Sequence, residues 1–184
     1  MKKFYKCIFL LAGWKAVGKM PDGIRKCVII SAPHTSAWDF VLGRIAFSLL
    51  GLQGKFFIKK EFFFFPLGIL LKYMGGIPVD RKKGEGQVRT ALRYFQKSDD
   101  FILVLTPEGT RKCNHNWKRG FYRIAEDAKV PLLLGFLDYK KKEVGFMQDP
   151  VFEATGDYQK DLQKIYARYK DVHAKYPKNF NLTT

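Results

Sequence analysis

Apolar and polar positions alternate along this chain with two different periods. Residues 27–31 form a short β-branched run between Lys26 and Pro33, and such a run predicts a strand buried on both faces. From residue 40 to 52 apolar positions recur at helical intervals behind Ser36-x-x-Asp39, a spacing that closes a first helical turn. A second strand is expected over 56–58. Residues 62–74 are apolar but interrupted by Pro66 and Gly68, and Gly75-Gly76 leads into a short strand over 77–79. The alternation then continues with a helix over 87–97, a strand over 101–105, a helix over 121–129 and a strand over 131–136. Residues 140–152 add edge-strand candidates. Leu162, Ile165, Tyr166, Tyr169 and Val172 mark a last amphipathic helix, on which His173 is expected at the surface. Strands that alternate with helices throughout predict one α/β domain, with a largely parallel or mixed central sheet flanked by helices.

The polar residues follow the strands in a regular way. His34 comes after the first, Lys59 and Lys60 after the second, Arg81 after the third, and Glu108, Gly109, Thr110 and Arg111 after the fourth. If those strands are parallel, all these residues stand on the carboxyl-end rim, where open α/β sheets bind their ligands.

Charge narrows the class of partner. Lys and Arg number 33 against 17 Asp and Glu, a net +16, so the partners expected are anionic: acidic lipid headgroups, phosphate esters, an acidic carrier protein or nucleic acid. No nucleic-acid recognition motif accompanies the charge, so nucleic acid is not expected. The three cysteines are odd in number and scattered, which fits a reducing compartment. Cys113-Asn114-His115 lacks a second ligand pair, and no metal site is expected. The longest apolar run, residues 62–71, is half of the roughly 20 residues a membrane span requires. That run could line an apolar tunnel, dip into lipid, or be plain core. In residues 1–19, Phe4, Ile8, Leu11, Trp14 and Val17 recur among lysines at roughly helical spacing, with no small-residue cleavage site after them. They form either a helix lying in the membrane interface or a terminal helix packed on the main domain, residues 20–184. The location expected is cytoplasmic, peripheral on the inner face of the membrane.

His34 and Asp39 are the first candidates for chemistry. A neutral imidazole can take a proton from a hydroxyl, and a nearby carboxylate can hold its tautomer and stabilise the imidazolium. Asp39 also suits the capping role that Ser36-x-x-Asp39 suggests, and one residue can do both. Serine-nucleophile chemistry is disfavoured, since no Gly-x-Ser-x-Gly elbow occurs. Arg81 and Arg111 are guanidinium groups able to hold phosphate bidentately, although Arg81 also reads as one member of the solvated run Arg81-Lys82-Lys83.

Taken in order, His34-x4-Asp39, Gly76-Ile77-Pro78-Val79-Asp80-Arg81, Glu108-Gly109-Thr110-Arg111, Lys118-Arg119-Gly120 and Val130-Pro131 resemble the glycerolipid acyltransferase family. The best known members of that family are the 1-acylglycerol-3-phosphate acyltransferases. The resemblance runs from about residue 24 to 134; Leu132-Leu133-Leu134-Gly135 departs from it by lacking a second proline often found there. It implies that residues 20–184 are an acyltransferase domain in which His34 is the general base and Asp39 its partner. Arg81, Glu108, Gly109, Thr110 and Arg111 would then bind the acceptor phosphate, with Lys59 and Lys60 as further substrate-binding candidates. The implied reaction moves a fatty acyl group from acyl-CoA or acyl carrier protein to a lysophospholipid hydroxyl without a cofactor. Backbone amides at the helix start would steady the oxyanion. The most direct acceptor is 1-acylglycerol-3-phosphate; other lysolipids, lipoamino acids and glycolipids are alternatives. A basic module that binds anionic membrane or nucleic acid is the non-enzymatic one.

Overall fold

In a computed structural model, which describes residues 2–80 and 84–182, seven strands form one mixed sheet in the order β1-β7-β6-β2-β5-β3-β4. The strands are β1 (Lys15–Val17), β2 (Lys26–Ala32), β3 (Gly54–Lys59), β4 (Gly76–Val79), β5 (Phe101–Leu105), β6 (Leu132–Asp138) and β7 (Glu143–Phe152). Among the described residues six α-helices cover the sheet: α1 (Lys2–Leu11), α2 (Trp38–Leu49), α3 (Leu67–Tyr73), α4 (Gly84–Lys97), α5 (Gly120–Ala128) and α6 (Tyr158–Tyr169). β6, β2, β5, β3 and β4 are mutually parallel, while β7 returns antiparallel to β6 and β1 lies parallel to β7.

The central strand explains the apolar run. Val28, Ile30 and Ala32 point to one side, against Ala91 and Phe95 of α4, Phe121 and Tyr122 of α5, and Leu162 and Ile165 of α6. Cys27 and Ile29 point to the other, where Phe47 of α2 closes the layer. Alternate residues thus serve two cores, which is why β2 shows no polar face. The layer around α1 and α2 is completed by Phe9, Trp14, Ala46, Leu137 and Val144.

Two expectations require correction. Residues 15–17 are not part of an N-terminal helix but an edge strand, paired Lys15 to Glu143, Ala16 to Val144 and Val17 to Gly145. Three residues whose partner lies about 128 positions away leave no periodic trace. The last helix stops at Tyr169 instead of running through residue 172. His173 therefore leaves the helix and sets its Nδ1 3.1 Å from Oδ2 of Asp138, a carboxylate that is almost completely buried. Burial would push the Asp138 carboxyl up, but hydrogen bonds from backbone amides and from His173 outweigh it and hold the carboxyl below its ordinary range.

Candidate active site

The parallel strands β2, β3, β4, β5 and β6 all end on one rim, so the segments that follow them converge there. β2 ends at Ala32, Pro33 has no N–H to extend the ladder, and the chain turns through Thr35 and Ser36 into α2. The local hydrogen bonds make this turn rigid. Asp39 Oδ2 accepts from Thr35 N at 2.7 Å and Ser36 N at 2.8 Å, and Ser36 Oγ accepts from Trp38 N at 3.2 Å. Asp39 therefore does close the first turn, as a capping residue would.

The same oxygen holds the histidine. His34 Nδ1 lies 3.2 Å from Asp39 Oδ2, with the carboxylate buried and the ring partly open to solvent. With the Nδ1 proton directed at Asp39, Nε2 carries the lone pair, the state a general base needs. Burial acts to raise the Asp39 pKa, but hydrogen bonds from His34, the Tyr139 hydroxyl and the Ser36 amide outweigh it, so the carboxyl sits below its ordinary value and is ionised at neutral pH.

Two further residues complete the arrangement. Tyr139, just past the end of β6, donates its hydroxyl to Asp39 Oδ1 at 2.7 Å. Its pKa is raised by burial and then by the Asp39 charge, so it remains a neutral donor. The ring is fixed edge-on against Trp14, 5.1 Å between centroids, and Lys175 Nζ lies 5.9 Å from its centre. Sequence reasoning missed Tyr139, which stands 100 positions from its partner; its place directly after an apolar strand was the available signal. Glu108, 3 % exposed, spans two loops: its Oε1 accepts from the His34 amide at 2.9 Å, while its backbone carbonyl accepts from Asn114 Nδ2 at 2.8 Å. Burial pushes the Glu108 carboxyl up to about 7, against the lowering effect of the backbone amides it binds, and its Oε2 has no hydrogen-bond partner.

The other candidates are distributed as follows. Gly109 turns with φ +64°, a backbone conformation that disfavours a side chain there, and an added Cβ would also have to displace the Lys118 stem, 3.0 Å away. Thr110 Oγ1 accepts from Lys112 N at 3.2 Å. Arg111 is exposed on the same loop and makes no ion pair among the described residues. Lys59 ends β3 exposed, whereas Lys60 is bound to Asp80 Oδ2 at 3.0 Å. Arg81 lies outside the described residues. The sequence expectation for the oxyanion narrows. The amides of Thr35, Ser36 and Trp38 are already taken by side chains, and those of Asp39 and Phe40 by backbone carbonyls, which leaves Ala37 N–H without an acceptor among the described residues. Among the described residues, no cluster of three or more His, Cys, Asp or Glu side chains could hold a metal ion.

The acyltransferase family model matches residues 19–133, which include His34, Asp39, Glu108 and Arg111 but neither Tyr139 nor Lys175. No curated protein matches the chain. Among solved structures, the chain is similar in fold to the 1-acyl-sn-glycerophosphate (LPA) acyltransferase PlsC from Thermotoga maritima. The TM-score is 0.62 at 20 % identity, over 95 % of this chain and 80 % of that one.

Proposed function

We propose that this chain, which belongs to the acyltransferase family, transfers a fatty acyl group from acyl-CoA or acyl carrier protein to the free hydroxyl of 1-acylglycerol-3-phosphate. The observation that carries the reading is the His34–Asp39 pair at 3.2 Å on the rim of the parallel strands, with Asp39 held from its other side by Tyr139.

The acceptor hydroxyl attacks the thioester carbonyl while His34 Nε2 takes its proton, and Asp39 stabilises the imidazolium. The Ala37 amide is the donor of this turn left to meet the oxyanion. Collapse of the tetrahedral intermediate breaks the carbon–sulfur bond, and the leaving thiolate receives the proton from His34. One ester and one thiol result, so the proton balance closes with no other reactant. Arg111, which makes no ion pair among the described residues, is the group assigned to the acceptor phosphate, with Arg81 as its partner. Glu108, Gly109 and Thr110 shape the loop that carries Arg111. Lys59 is a further contact for an anionic substrate, and Lys60 could act as one only by leaving Asp80.

The test is thiol release from an acyl thioester with and without 1-acylglycerol-3-phosphate, in wild type and His34→Ala. Wild type should form phosphatidate, and the variant should lose about 10²- to 10⁴-fold in turnover, the range of a lost general base. Near-normal transfer by a folded His34→Ala protein overturns the mechanism. A wild type that acylates neutral acceptors equally well reopens the acceptor class.

A further inference from the structure

Twelve large apolar side chains stand exposed among the described residues, and six of them, Phe62, Phe64, Phe65, Ile69, Leu70 and Tyr73, fall within residues 62–73. The segment leaves the carboxyl end of β3, so it starts on the same rim as His34. It is held outward by its own backbone. Phe63 N donates to Lys60 O and Ile69 N to Pro66 O, and an added Cβ on Gly68 would stand 2.8 Å from the Phe63 backbone. The turn is therefore packed onto α3, with Phe65 at its tip, 83 % exposed.

The segment shares its face of the sheet with α2. A Cβ on Gly76 would meet both the Leu71 carbonyl and Ile58 Cδ1, so α3 lies over the Ile58 side of β3. Phe56 points to that same side, where its ring packs on Phe40 and Phe47. Trp38 and Val41 of α2, and Leu10 and Leu11 of α1, add exposed apolar surface on this face. The helices of the opposite face, α4, α5 and α6, carry none of the twelve among the described residues.

We propose that residues 62–73 form a wedge that inserts into the headgroup and acyl boundary of an anionic bilayer and sets the His34 rim against the lipid surface. This rests on the acyltransferase reading, for it supplies that site with lipid. A contiguous apolar patch of this kind marks an interaction surface, and no helix among the described residues is long and apolar enough to cross a membrane. Charge selects the occupant. Lys59 and Lys72 flank the wedge, with Lys60 paired to Asp80 and Glu61 beside it, on a chain of net charge +16, so a second copy would bring the same net positive charge to the contact, whereas an anionic membrane neutralises it. In α1, Phe9 is buried in the protein while Leu10 and Leu11 stand exposed, so this helix is a separate candidate contact.

The experiment uses the full chain as Phe64→Ser/Phe65→Ser and, separately, Leu10→Ser/Leu11→Ser, in flotation with phosphatidylglycerol-containing vesicles. Removing a phenyl side chain from an apolar environment corresponds to about tenfold in partition, so the Phe64/Phe65 variant should bind vesicles at least tenfold more weakly. Its melting temperature and its thioester hydrolysis in solution should be unchanged. Phe65→Trp should show a blue-shifted emission on anionic vesicles. Unaltered flotation of the Phe64/Phe65 variant, or a loss confined to the Leu10/Leu11 variant, overturns the wedge. So does a wild-type dimer that the Phe64/Phe65 change splits while vesicle binding persists. Weaker flotation of the variant supports the wedge even if wild type turns over no thioester, and in that case only the acyltransferase reading fails.

Discussion

Tyr139→Phe isolates a single hydrogen bond at the centre of the site. The ring and its contact with Trp14 remain, but Asp39 Oδ1 loses the hydroxyl that reaches it at 2.7 Å. Hydrogen bonds to charged groups are worth about 1.5–3 kcal/mol, and Asp39 is only 8 % exposed, so little water replaces the donor. For a domain of this size that corresponds to roughly 3–12 °C in Tm. The pH dependence separates this from a packing defect. The native Asp39 pKa lies below the value near 3.9 of an unfolded aspartate, so its contribution to stability is full above about pH 4 and is lost as pH falls through the native value. The hydroxyl supports only the ionised form. The gap in stability between wild type and Tyr139→Phe should therefore be full at pH 7 and close as Asp39 protonates. Thermal unfolding of both proteins at pH 7 and through the acid range measures it, and acyl transfer per folded molecule should fall as the Asp39 geometry loosens. A gap that is equal at all pH values, or absent at pH 7, would refute the assignment of Tyr139 as a positioning residue for Asp39.

Glu108→Gln should keep the acceptor for the His34 amide while abolishing a titration. Because the native carboxyl is raised to about 7, wild type loses stability as pH rises from about 4.5 to 7, by at most about 3 kcal/mol from this group, and the Gln variant should lack that slope in urea unfolding. Arg111→Lys keeps a charge but loses the planar fork. It should lower kcat/KM for 1-acylglycerol-3-phosphate about ten- to a hundredfold and leave background thioester hydrolysis in place; equal loss of both would make Arg111 a structural residue.

Much of this architecture was legible locally. β2 reads as one apolar run because its two faces feed two cores, and the His34–Asp39 pair is legible because both of its bonds form within six residues, so turn chemistry and acid–base chemistry share one short stretch. The expectation that the polar segments share a rim depended on parallel pairing, and the pairings of β2, β3, β4, β5 and β6 supply it. Other features had no local signature. Tyr139 reaches Asp39 only because β6 lies beside β2 in the sheet, and β1 exists only because β7 offers it an edge. Residues 62–71 had three readings that hydrophobicity cannot separate, since an apolar run has the same composition in a core, a tunnel or an exposed wedge. Burial separates core from surface, and burial depends on what the rest of the chain brings to the same place. At the edge formed by β3 and β4, the chain leaves Phe62, Phe64 and Phe65 uncovered.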